Sequence, residues 1–190
     1  MNDKRIREFF SKKYLKQFNS ADVLLLNELG IINGTSIVDI AASTPKSIEG
    51  FEIKSAQDSL YRLPRQIKYY DKVFDFISII TEKDHLEECK KIIPLYWGII
   101  LAEENGDDVK FLEIRAPSIN TNNDDYSMSL LLWKKEIIFE LNKMGFKNIS
   151  SERVFKLRKL LISIPGVNLR EVIHRSFLNR IFWKTQINQN

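Results

Sequence analysis

Asp39, Glu52 and Lys54 have the residue types and the spacing for phosphodiester chemistry. Ser36–Ala42 and Gly50–Ala56 are short runs of β-branched, small and aromatic residues. The turn-forming stretch Ser43-Thr44-Pro45-Lys46-Ser47 lies between them, so the two runs read as neighbouring β-strands. Alternation sends Glu52 and Lys54 to one face of the second strand and Phe51 and Ile53 to the other. Asp39, on the adjacent strand, can meet Glu52 and Lys54 there. Two carboxylates and an ammonium converging at a sheet edge suit a hard divalent cation, Mg²⁺ or Mn²⁺, which takes carboxylate, water and phosphate oxygens. The backbone carbonyl of Ile53 offers one more oxygen. Lys54 can orient or deprotonate the attacking water, or neutralise charge on the transition state. On its own, Glu52-Ile53-Lys54 reads more simply as a Glu–Lys pair on a solvated strand face.

These residues need a scaffold, and the pattern around them predicts one. Met1 to Gln17 reads as a surface helix with Ile6, Phe9, Phe10 and Tyr14 on one side. Ala21 to Gly30 reads as a short helix capped by Asp22 and stopped by Gly30. After the two strands, apolar residues from about Ser59 to Val73 recur every three or four positions, a helix with Pro64 near its start. Phe76–Ile80 is a buried strand, His85–Ile92 a helix, Tyr96–Leu101 a strand and Val109–Arg115 the partner of a hairpin. A polar loop, Pro117–Asp125, then precedes three helices, roughly Ser127–Met144, Ser151–Ser163 and Asn168–Lys184. The order predicts an α/β fold with a mixed central sheet flanked by helices. It divides into a core over 1–125 and a helical C-terminal extension over 126–190.

Composition narrows the function classes. The 190 residues contain one cysteine, Cys89, which excludes an internal disulfide and a cysteine-cluster metal site and fits the reducing cytoplasm. No apolar run approaches the roughly 20 residues that span a bilayer, so no membrane partner is expected. The formal charge of +4 is unevenly divided. Residues 126–190 carry 12 basic and 4 acidic side chains, and the preceding part 17 basic and 21 acidic. The basic segment could grip phosphate, or its charges could be solvated helix faces. His85 and His174 lack neighbours at ligand spacing and read as surface or packing residues. Trp97, Trp133 and Trp183 read as core anchors, with base stacking by Trp183 the lesser alternative. No Gly-rich phosphate loop supports ATP-driven chemistry.

Asp39, the Glu52-x-Lys54 element and the following Gln66-x-x-x-Tyr70 resemble the PD-(D/E)XK nuclease superfamily. Glu28-Leu29-Gly30, Asp58-Ser59-Leu60, Arg62-Leu63 and Gln66 through Phe74 further resemble an uncharacterised family of small bacterial and phage-associated nuclease-fold proteins. Val38 stands where the superfamily's name has proline. The resemblance implies a restriction-endonuclease-like fold and a Mg²⁺- or Mn²⁺-dependent nuclease acting on nucleic acid, DNA foremost. Asp39 and Glu52 would be metal ligands, Lys54 the catalytic lysine, Gln66 a substrate or lysine-positioning contact, and Tyr70 its support. Glu28 matches an upstream helix carboxylate that completes the metal shell in many members. Arg62, Arg65 and Lys68 could touch a phosphate, or Arg62 could simply pair with Asp58 across a turn. The competing expectation is a catalytically silent nucleic-acid-binding or interaction module of a phage-defence or mobile-element system. Its helical tail would dock a partner or a second copy.

Overall fold

One six-stranded mixed sheet, its strands lying side by side in chain order, organises the molecule. The computed structural model describes residues 1–17 and 23–187. The strands are β1 (Leu24–Ile31), β2 (Ser36–Ser43), β3 (Ile48–Lys54), β4 (Phe76–Thr81), β5 (Gly98–Asn105) and β6 (Asp108–Arg115). β3–β4 and β4–β5 are parallel, and the other neighbours antiparallel. Parallel neighbours need a crossover. A 3₁₀ turn (Leu60–Arg62) with α2 (Leu63–Tyr70) supplies the first, and α3 (Lys83–Ile92) the second. α1 (Asp3–Gln17) precedes the sheet. α4 (Asp125–Ser129), α5 (Lys134–Lys143), α6 (Val154–Ser163) and α7 (Leu169–Ile187) follow it.

Alternation along the strands feeds two cores. Ile77 and Ile79 of β4 enter the larger one, with Tyr70, Phe74 and Trp97 and with Leu132, Leu161 and Phe177 of the C-terminal region. Ile80 enters the smaller one, where Ile6, Phe10 and Tyr14 of α1 pack on Phe51, Ile53 and Phe111. The C-terminal helices therefore share a core with the sheet. No helix among the described residues is long and apolar enough to cross a membrane.

Three expectations are corrected. The segment read as a helix over Ala21–Gly30 is β1, paired with β2 from Leu24↔Ser43 to Ile31↔Ser36. Its leucine-rich run suits either state, and an otherwise open β2 edge decides for strand. The reversal comes after Gly30, where Ile32, Asn33 and Gly34 all adopt positive φ. Asp22, the expected cap, lies outside the described residues. The single helix over Ser127–Met144 is two, α4 and α5, because the chain turns at Leu130–Trp133. There the Arg158 guanidinium takes the Ser129 and Leu132 carbonyls, and Glu136 accepts the Trp133 N–H at 2.7 Å. Trp133 is half exposed under the Arg180 guanidinium, whereas Trp97 is fully buried. The Trp183 side chain lies outside the described residues.

Candidate functional site

β2 and β3 are paired from Ser43↔Ile48 to Ile40↔Phe51, and beyond that rung the ladder stops. The Ile53 N–H faces the gap and donates to Asp39 Oδ2 at 2.7 Å. A carboxylate thus stands in for a ladder acceptor, which fixes its position without sealing the gap. The acid pair therefore sits inside the sheet, on its second and third strands, and not at an edge as its spacing suggested.

Glu52 and Lys54 share a strand face, as alternation requires, but that face is covered: they are 2% and 4% exposed. Glu52 Oε1 accepts from Lys54 Nζ at 2.5 Å and from Gln66 Nε2 at 2.5 Å. The Tyr70 hydroxyl makes a short contact with Glu52 Oε2 and lies 2.7 Å from the Ile37 carbonyl. Gln66 and Tyr70 are one turn apart on α2, so both reach the same spot. Tyr70 is itself braced by stacking on Trp97, with centroids 6.0 Å apart and planes 6° from parallel. A buried charged pair is costly unless further hydrogen bonds satisfy it. Glu52 has three side-chain donors around it, so its oxygens are fixed in direction. Burial first, and then the Glu52 charge, push the Tyr70 phenol upward, so it stays a neutral donor.

Asp39 looks the other way. Burial is the main cause raising its carboxyl to about 7, and the Glu52 charge adds to it, while the Ile53 N–H and Lys54 oppose. Arg7 of α1 reaches it at 3.3 Å from Nη2. The same guanidinium donates to Asp3 Oδ2 at 2.7 Å and to Glu28 Oε1 at 2.8 Å. Glu28 thus lies on a strand and not on the upstream helix that the resemblance implied. Its φ of 53° interrupts β1 opposite Asp39. Neither Arg7 nor Asp3 stands out in the sequence. Their only signal is the i,i+4 spacing of an Asp–Arg pair on α1, which says nothing of where α1 docks.

The expected phosphate contacts separate. Arg62 and Arg65 line a cavity of about 330 Å³ together with Ser36, Gln66 and Tyr69. Lys68 instead lines a neighbouring depression with Arg65, Lys72 and Asn122. Asp58 does not pair with Arg62 among the described residues. It accepts the Ser55 N–H at 2.8 Å and the Ser55 hydroxyl at 2.6 Å, closing the turn after β3. The basic C-terminal segment turns part of its charge inward. Arg170 pairs with Asp75, Arg175 with Glu140 and Arg180 with Glu136.

Among the described residues no three His, Cys, Asp or Glu side chains stand together as a preformed metal cluster. The donors near the gap are hard oxygens: Asp39, Glu52, and Gln66 Oε1, which is buried without a hydrogen-bond partner. Two carboxylates and an orphaned amide oxygen fit a hard cation such as Mg²⁺ better than a thiophilic one.

The protein cII of Enterobacteria phage P4 is 27% identical over 161 residues, which cover 84% of this chain. The chain spans 60% of the length of that curated relative. A solved structure, a protein of unknown function from Silicibacter pomeroyi, is similar with a TM-score of 0.46 and 13% identity. That similarity covers 81% of this chain and 99% of the other. Residues 7–189, nearly the whole chain, match the bacteriophage P4 protein cII family, and the protein belongs to that family.

Proposed function

We propose that the protein is a metal-dependent nuclease of the PD-(D/E)XK type that hydrolyses phosphodiester bonds, with DNA as the substrate to test first. The observation that carries this reading is the convergence of Lys54, Gln66 and Tyr70 on the one carboxylate of Glu52, beside Asp39 in an opened strand gap. Asp39 and Glu52 would hold Mg²⁺ or Mn²⁺, with the Ile53 carbonyl and Glu28 as further oxygens. The ion, when bound, supplies Lewis-acid polarisation of the phosphate and a more acidic water. Tyr70 and Gln66 fix the direction of the Glu52 oxygens. Lys54 Nζ sets a positive charge beside them, suited to offset charge that develops on phosphate oxygens. Arg62 and Arg65, on the cavity that Gln66 also lines, would hold the neighbouring phosphates without reading sequence.

Purified protein should nick plasmid or degrade single-stranded DNA in Mn²⁺. Glu52→Gln and Lys54→Met should lose about 100-fold or more, the scale of a positioned acid–base group, while keeping a wild-type circular dichroism spectrum. Equal cleavage by all three proteins would overturn the reading, as would inactivity of the wild type on both DNA and RNA.

One observation favours a second reading, a silent nucleic-acid-binding module. Glu52 is buried and both of its oxygens are already engaged. Salt-sensitive DNA binding that survives chelation and Asp39→Ala, with no turnover, would decide for it.

A further inference from the structure

The guanidinium of Arg7 occupies the ground between three carboxylates that come from three different elements. Asp3 lies one turn before it on α1, Glu28 is at the kink of β1, and Asp39 stands in the β2–β3 gap. α1 is held there independently of this contact, by Ile6, Phe10 and Tyr14 in the smaller core. The Arg7 side chain is 17% exposed, so its charge is poorly screened and concentrated on these acids. Its Nε has no partner, which leaves the group anchored through its two terminal nitrogens alone.

We infer that Arg7 is the resident counter-ion of the site. It holds Asp39 and Glu28 in place in the metal-free protein, and a divalent cation must displace it from Asp39 to bind. This rests on the metal-dependent reading above. The contacts differ in a way that suits displacement. The bond to Asp39 is the longest of the three, and the bonds to Asp3 and Glu28 can retain the guanidinium after Asp39 is released. Arg7 is a positioning residue in this scheme. It acts on the cation through Asp39 and sets the threshold of divalent ion at which the site fills.

Isothermal titration with MnCl₂, in the absence of nucleic acid, tests this on the full chain. Arg7→Gln should bind Mn²⁺ about ten-fold more tightly than wild type, because one unit of competing charge is gone. Arg7→Lys, which keeps that charge, should stay within about two-fold of wild type. An Arg7→Gln affinity equal to or weaker than wild type overturns the inference and leaves the metal reading standing. No heat in either protein overturns both. A wild-type measurement makes the result independent of any folding defect. In arginine-¹⁵N-labelled protein the Arg7 Nε–H resonance should move on Mg²⁺ addition, and an unmoved resonance at saturating metal also overturns it.

Discussion

Burial of Asp39, with the Glu52 charge adding to it, raises its carboxyl to about 7 from an ordinary 3.8, against the opposing Ile53 N–H and Lys54. Between about pH 4 and pH 7 the folded chain keeps a proton that the unfolded chain has already lost. The stabilisation from that proton is complete below the unfolded value and disappears as the pH rises through the folded one. Metal-free wild type should therefore lose ground to Asp39→Asn as pH rises across this window, by at most about 1.4 kcal/mol per pH unit. Urea midpoints of the two proteins at pH 5 and pH 8 check this, and a difference that does not change with pH would refute the shift. At this scale the sequence was informative about one half of the site. Glu52, Lys54, Gln66 and Tyr70 are joined by strand alternation and by one helical turn, so local spacing announces them. Arg7 and Asp3 themselves lie more than twenty residues upstream of Glu28, and only the docking of α1 brings them in.

The elements that carry these residues depend on close packing behind the strand. Gly50 precedes Glu52 by two residues on the same face of β3, and a Cβ there would lie 2.8 Å from the Phe74 ring. Phe74 is fully buried and meets Tyr70 edge to face, with centroids 5.8 Å apart. A methyl at position 50 must therefore push the ring that braces the Tyr70–Glu52 contact. Gly50→Ala should cost about 1–3 kcal/mol as an overpacked core position, seen as a lower urea midpoint at unchanged slope. A wild-type midpoint would mean that Phe74 has room to yield. Periodicity located β2 to β6 and α2 to within a few residues, because their apolar spacing is unambiguous. It failed at Leu24–Leu29, where a leucine cluster satisfies either period and only pairing with β2 selects the strand. It failed again at Leu130–Trp133, where carbonyl capture by Arg158, from a helix far along the chain, ends α4.

Across the whole molecule, charge that looked like an external feature of the C-terminal segment is partly internal. The α/β order and the helical tail were readable from the succession of patterns, whereas the partners of the tail's arginines were not. Arg170 and Asp75 are 95 residues apart, and no local rule joins them. Asp75 is 2% exposed and accepts the Ile48 N–H at 2.9 Å, the Asn123 amide at 2.9 Å and a two-pronged Arg170 contact. It ties the first residue of β3, the loop before α4 and the first turn of α7 to one point. Removing one partner of a buried pair leaves a bare charge, and Arg170→Ala should cost about 3–5 kcal/mol. Replacing both partners removes the uncompensated charge as well as the bond. Asp75→Asn with Arg170→Met should therefore be less destabilised than Arg170→Ala alone. A double-mutant cycle on thermal midpoints reads the coupling. Additive losses would show that the sheet and the C-terminal helices are held together by the shared apolar core, with Asp75–Arg170 a bystander. Strong coupling would mean that this ion pair sets how the basic helices sit on the sheet that carries Glu52.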